Sequence, residues 1–304
     1  MADATMEGLS DALLAQLAAR ARPDGSALAR PGESESSVEA TAWYALALRL
    51  AGSAPGATVA AHAAGEALAR LQAKDGRVSV SPLNPGAYSP TSIAVLAWHD
   101  RPGLATARRR AVDFLLAQRG DHFPRSPASP LAMDTELAGW PWIERTFSWA
   151  EPTALALLAL DAAGLGEHPR AREGRRLLLD RQIDSGGWNY GNARVFGSEL
   201  RPTPESTGLV LAALAGRVAE REVSASLAYL DRCAPPLRSP LALGWTLLAW
   251  SAWRGQAASF AAQAIGETLA RESRYGSYET ADLALLAVAA QAPRGLLAAL
   301  RESH

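Results

Sequence analysis

The chain has 304 residues, 48% of them hydrophobic, a formal net charge of −1 and one cysteine, Cys233. That length supports a sizeable core, while the near-neutral charge leaves no basic footprint for nucleic acid and no polybasic membrane anchor. A single cysteine excludes an intramolecular disulfide and all cysteine-rich zinc sites.

The N-terminal stretch MADATMEGLSDALLAQLAARARPDG opens on acidic residues and lacks an uninterrupted apolar core, so it does not read as a secretory signal. No segment approaches the roughly 20 charge-free apolar residues of a membrane span. A soluble, cytoplasmic protein that is not integral to a membrane is the expectation.

From there one pattern recurs along the chain: an amphipathic helix, a loop carrying Gly and often an aromatic residue, then an almost wholly apolar helix. DALLAQLAARARPDGS precedes VEATAWYALALRLAG, and GEALARLQAKDGRVSV precedes YSPTSIAVLAW. AVDFLLAQRGDHF is parted by a long insertion from AEPTALALLALDAAG. LLLDRQIDSGGW leads to PESTGLVLAAL, VSASLAYLDRC to SPLALGWTLLAWSAW, and AIGETLARESRYGS to YETADLALLAVAAQ. PRGLLAALRES closes the chain as a short helix.

A helix that is apolar all round must be buried on every side. Six such helices meet that demand by forming a ring inside a second ring of amphipathic helices. The predicted fold is therefore all-α, an (α/α)6 toroid of six helical hairpins in one domain spanning residues 1–304, with an insertion at about 120–150. An open solenoid would need polar capping repeats, and the last inner helix is as apolar as the rest. Thr203-Pro204-Glu205 supplies an N-cap hydroxyl, a first-turn proline and an acid beside the helix dipole. Pro90, Pro152 and Pro240 repeat the proline; Glu39, Glu151 and Glu279 repeat the acid. These starts are expected at one end of the ring, around a central cavity, with the dipole lowering the pKa of the acids.

The stretch with Arg176, Leu179, Gln182, Gly186 and Trp188 resembles the QW motif of the terpenoid cyclase and protein prenyltransferase superfamily, as in squalene cyclase-like toroids. Gln72, Asp75 and Gly76 echo it, with Val78 where a Trp would stand, and Gln118 is parted from Gly139-Trp140 by the insertion. The resemblance covers nearly the whole chain and is that of a bacterial-type, single-toroid member. It implies an isoprenoid substrate, polyprenyl or squalene-like, bound or cyclised in an apolar cavity, and a bracing role for Gln182 and Trp188. Two family signatures are absent: SWAEPTALALLAL leaves only Glu151 where a D-x-D-D acid would stand, and Asp231-Arg232-Cys233 copies a zinc spacing whose only downstream histidine is His304. A zinc site needs three or four convergent ligands, so no metal and no other cofactor is expected; a partner subunit remains open.

The insertion is the chemistry-bearing candidate. Pro124 to Pro130 reads as a flexible excursion, after which Trp140, Trp142, Phe147 and Trp149 crowd together beside Asp134, Glu136, Arg145 and Glu151. One reading is a lid whose aromatics are packing plugs. The other is a pocket mouth whose aromatic faces stabilise a cation. On that reading Trp140, Trp142, Arg145, Phe147, Trp149 and Tyr190 bind substrate, and Asp134, Glu136 and Glu151 are the candidate catalytic acids. Asp134 and Glu136, two apart in an extended segment, would share a face and one raised pKa. The rivals are a non-catalytic toroid scaffold or binding protein and a carbohydrate-active (α/α)6 enzyme, since aromatic platforms and paired acids also serve sugars.

Overall fold

The structure, a computed structural model, describes residues 5–52, 54, 56–124, 133–195 and 197–303. Most of the expected Pro124–Pro130 excursion and His304 lie outside them. The helices follow in chain order: α1 (Met6–Ala18), α2 (Val38–Leu50), α3 (Ala57–Leu71), α4 (Pro90–Ala97), α5 (Ala105–Ala117), α6 (Ala150–Ala162) and α7 (Pro169–Asp180). The second half adds α8 (Pro204–Leu214), α9 (Glu220–Cys233), α10 (Pro240–Arg254), α11 (Ala261–Ala270), the one-turn α12 (Glu272–Tyr275), α13 (Thr280–Gln291) and α14 (Leu296–Glu302). Two antiparallel two-residue ladders pin loops, β1 (Ala27–Leu28) with β2 (Ser36–Ser37) and β3 (Arg194–Val195) with β4 (Ser198–Glu199).

The wholly apolar helices form the inner ring. α2 packs on α4, α4 on α6, α6 on α8, α8 on α10, α10 on α13, and α13 returns to α2. The closed circuit explains their composition, since nearly every residue from Ala150 to Asp161 is buried. The amphipathic helices stand outside, so the fold is the (α/α)6 toroid.

Its hairpins differ from the expected outer-then-inner pairs. The outer helices pack chiefly on the inner helix before them: α3 on α2, α5 on α4, α7 on α6 and α9 on α8, while α11 packs on both α10 and α1. α1, with none before it, packs on α13 and closes the ring. Arg20 fastens that seam by donating to the Tyr278 carbonyl at 2.8 Å, while the Thr280 hydroxyl donates to the Leu28 carbonyl at 2.6 Å. The Gly-aromatic loops therefore pass the chain from one hairpin to the next, which requires close backbone approach. Gly25, Gly76 and Gly186 have φ near +90°, and a Cβ there would lie 2.4, 2.1 and 2.3 Å from the carbonyl oxygens of Ala63, Arg110 and Ala225 on the next outer helix. Only glycine meets both conditions.

A threonine in the first turn of the inner helix receives the loop at α2, α4, α6 and α8. Its hydroxyl accepts from the backbone N–H of the residue two after the loop glycine in three cases: Ala27 to Thr41, Val78 to Thr91 and Trp188 to Thr207, each at 2.9 Å. Trp140 makes the same bond to Thr153 at 3.0 Å. Gln72 braces its loop by donating to the carbonyls of Gly76 and Ala107, and Gln182 by donating to the Ser226 hydroxyl. Trp188 is fully buried and donates its indole N–H to the Leu178 carbonyl. In the interrupted repeat the buried Arg170 holds the loop instead, bonding the carbonyls of Gln118, Ala138 and Gly139 and lying 4.4 Å over the Trp140 ring.

Candidate functional site

The N-terminal ends of five inner helices, α2, α4, α6, α8 and α10, surround a central cavity of about 220 Å³. The helix starts read from the sequence rim it at these five helices, whereas Glu279, before α13, is not in its wall. Trp43, Ile93, Leu155, Leu209, Leu241 and Trp245 make the wall largely apolar, and Trp142 of the insertion joins them. Trp43 and Trp245 meet edge to face, ring centroids 5.7 Å apart. The insertion reaches the cavity because it folds back on the second loop: the Glu144 N–H donates to the Gly86 carbonyl at 3.0 Å, and its carboxylate pairs with Arg77 at 2.9 Å.

Three carboxyl groups, Glu39, Glu151 and Glu205, stand in this wall. Glu151 is half-buried, and its pKa is raised: removal from water dominates, and the neighbouring Glu205 charge adds to it. Hydrogen bonds from the Ser206 hydroxyl, at 2.7 Å, and from Trp142 oppose the shift without reversing it. Glu39 is exposed at the cavity, and partial desolvation, then the charges of Glu279 and Asp282, direct its pKa upward. Asp282, on the first turn of α13, is pushed up to about 6 by burial and then by Glu279. Glu279 is itself paired with Arg30 at 2.7 Å. The expectation that helix dipoles would lower these pKa values fails for Glu39 and Glu151. A dipole acts through a few tenths of a unit charge at the helix end, whereas even partial removal of water acts on the full charge of the carboxylate. Among the described residues no three His, Cys, Asp or Glu side chains converge as ligands for a metal ion.

The structure divides the other candidates. Trp142 and Glu151 line the central cavity together. Phe147 and Trp149 line a second cavity of about 240 Å³, walled also by Phe123, Thr135, Leu137 and Arg181. Trp140 is fully buried, its indole N–H donating to the Leu115 carbonyl at 2.8 Å, so it packs the framework as Trp188 does. Arg145 is exposed in a turn at φ +61°, and Tyr190 is exposed, lending its carbonyl to the Ala150 N–H at the start of α6. Neither lines either cavity. Asp134 and Glu136 do not lie in an extended segment: Thr135 and Glu136 form a turn, and Asp134 Oδ1 accepts the Glu136 N–H at 3.0 Å. Asp134 in turn donates its backbone N–H to the Asp180 carboxylate. The residue that lines the second cavity is Thr135 between them.

Sequence reasoning placed Glu39 at the cavity rim but not among the candidate catalytic acids, and it missed Trp43 and the packing of Trp245 against it. A signal was available. Glu39-Ala40-Thr41, Glu151-Pro152-Thr153 and Glu205-Ser206-Thr207 share a Glu-x-Thr spacing in which the threonine holds the loop and the acid, half a turn earlier, reaches the cavity.

Solved structures of the same shape cover nearly the whole chain. A protein from Actinoplanes superposes with a TM-score of 0.64 at 18% identity, over 98% of this chain and 99% of that one. A type II terpene cyclase variant from Scytonema, in complex with geranylgeranyl dihydroxybenzoate, gives 0.63 at 14% identity over 97% of both. An inactive α-1,6-mannanase variant from Salegentibacter, in complex with α-1,6-mannotriose, gives 0.65 at 11% identity over 96% and 100%. Such likeness establishes the helical toroid, and a toroid carries more than one chemistry. No protein-family model and no curated protein matches the sequence. Among the described residues no single helix is long and apolar enough to cross a membrane.

Proposed function

We propose that the central cavity binds an isoprenoid and that Glu151, in its protonated form, transfers a proton to one of the ligand's carbon–carbon double bonds. One observation carries the proposal: a carboxyl group held toward neutrality by burial stands in an apolar wall with Trp43, Trp142 and Trp245. The step balances within the site. The carboxyl O–H bond breaks, the alkene π pair forms the new C–H bond, and the adjacent carbon becomes a cation. Indole faces stabilise such a cation. Loss of a proton from a neighbouring carbon to the Glu151 carboxylate restores the acid and leaves a rearranged or cyclised alkene. Ser206 orients the carboxyl by donating its hydroxyl to Oε1 at 2.7 Å.

The toroid likeness supports a terpenoid and a carbohydrate reading equally; the wall favours the hydrocarbon. Sugars are held by dense arrays of amide, acid and guanidinium groups, and the described wall, beyond its three acids, carries no Asn, Gln or Arg. Ligand pockets usually span about 300–1,000 Å³, so about 220 Å³ suits a short prenyl unit or one end of a longer chain. A cytoplasmic location, with no cofactor, belongs to the same proposal.

The test combines tryptophan fluorescence titration with geraniol, farnesol, squalene and mannotriose and product analysis by mass spectrometry. Saturable binding of a prenyl compound and its acid-dependent isomerisation are expected. Binding without turnover would make this an isoprenoid-binding toroid, and binding of mannotriose alone would replace the proposal by the carbohydrate reading.

A further inference from the structure

We infer that the ligand of the central cavity carries an amino group, seated as an ammonium ion against Glu39, Trp43 and Trp245. That its hydrocarbon part is an isoprenoid rests on the function proposed above. Glu39, Glu151 and Glu205 share one wall, and that wall holds no Lys, Arg or His. None of the three makes an ion pair among the described residues. Several other acids drawn away from water do have a counter-ion: Asp161 pairs with Arg217 at 2.5 Å, Glu173 with Arg170 at 2.6 Å and Glu144 with Arg77 at 2.9 Å. The charges that act on Glu39 and Glu151 are those of further acids, Glu279 and Asp282 on the first and Glu205 on the second. Carboxylates removed from water are ordinarily paired, so three unpaired ones around an open volume point to a counter-charge that arrives with a ligand.

That cation is organic rather than a metal ion. A metal site needs three or four donors converging on one point, and among the described residues no three such side chains do. Glu39 stands across the ring from Glu205, since α2 and α8 are opposite members of the circuit. It is exposed at the cavity, and Trp43 lies four residues on, one turn along the same face of α2. Trp245 of α10 meets the Trp43 ring edge to face. A carboxylate beside indole rings seats an ammonium group through charge and through the ring faces. The hydrocarbon end is then left to Trp142 and to Glu151, two places round the ring on α6. A carboxylate or phosphate in place of the amine would meet three acids and be repelled.

Calorimetric titration of the full chain at pH 7.5 with geranylamine, geraniol and geranate tests this, since the three share a skeleton and differ at one group. An alkylamine is protonated at that pH. Geraniol should bind roughly 10–100-fold more weakly than geranylamine, the worth of a hydrogen bond to a charged group, and geranate more weakly still. Glu39→Gln should bring geranylamine to the level of geraniol and leave geraniol unchanged, while Glu39→Asp should keep the amine preference. Octylamine and octan-1-ol, which lack the prenyl double bonds, separate the two proposals. Octylamine binding above octan-1-ol while both geranyl compounds fail would support the ammonium seat and sink the isoprenoid reading. Geraniol binding as tightly as geranylamine would overturn the seat and leave the isoprenoid reading standing. An amine preference that survives Glu39→Gln, or no saturable binding of any amine, would overturn it as well.

Discussion

Ser206, on the first turn of α8, donates its hydroxyl to Oε1 of Glu151 on the first turn of α6 at 2.7 Å, tying two neighbouring inner helices together at the cavity. The bond stabilises the Glu151 anion, while the apolar wall disfavours it, and the wall prevails. Glu151→Gln keeps the shape and removes the acidic proton. Turnover of a prenyl substrate is expected to fall by about 10²–10⁴-fold, the usual worth of a general acid, with binding changed little. Turnover within threefold of the parent would remove Glu151 from the chemistry. Ser206→Ala removes a bond to the anion, so the pH above which activity declines should move upward, which a pH–rate profile reads directly.

Asp282 provides a pH test of the acids. A carboxyl with a raised folded pKa binds more protons folded than unfolded, so stability falls as pH rises from its ordinary value of 3.8 to the folded value of about 6. Replacing it by Asn removes that penalty. Asp282→Asn should match the parent at pH 3.5–4 and exceed it by on the order of 1–3 kcal/mol at pH 7.5. Urea denaturation at both pH values measures the difference; an equal effect at both would show that burial does not perturb Asp282.

The loop glycines allow a paired comparison. Gly186→Ala places a Cβ 2.3 Å from the Ala225 carbonyl oxygen at φ +98°, whereas Gly32→Ala, at φ +84°, meets nothing within 4 Å. The second should cost about 1 kcal/mol, the conformational part alone. The first should cost more than about 3 kcal/mol, because α9 must move away from the loop. Similar losses in chemical denaturation would mean that close approach of loop and helix does not hold the ring.

A second pair separates hydrogen bonding from burial. Thr207 and Thr246 are both fully buried, but Thr207 accepts the Trp188 N–H while the Thr246 hydroxyl has no partner. Thr207→Val should cost about 1–3 kcal/mol by orphaning a buried N–H, and Thr246→Val should be neutral or stabilising. The thermal midpoints of the two variants, measured side by side, check the contrast.

Two tryptophans complete the set. Trp188→Ala empties a fully buried position and should cost about 3–5 kcal/mol. Trp142→Ala, in a partly exposed cavity wall, should spare most of the stability and weaken prenyl binding. A loss below about 0.5 kcal/mol for Trp188 would place it outside the framework.

The ring itself was legible in the chain: helices such as Ala150–Ala162 carry no polar face, and burial on every side leaves few arrangements. The loop positions of Gly76 and Gly186 and the braces Gln72 and Gln182 were legible too, because each acts within its own repeat or the next. What tertiary structure alone decided was the sorting of chemically similar neighbours. Trp140, Trp142 and Trp149 lie within ten residues, yet one is framework, one faces the central cavity and one faces the second. An irregular loop has no fixed period to tell which way a side chain points. The protonation tendency of Glu151 was likewise beyond the sequence. Its helix dipole is local and visible there, but the opposing desolvation comes from residues on five helices that meet only when α13 closes on α2.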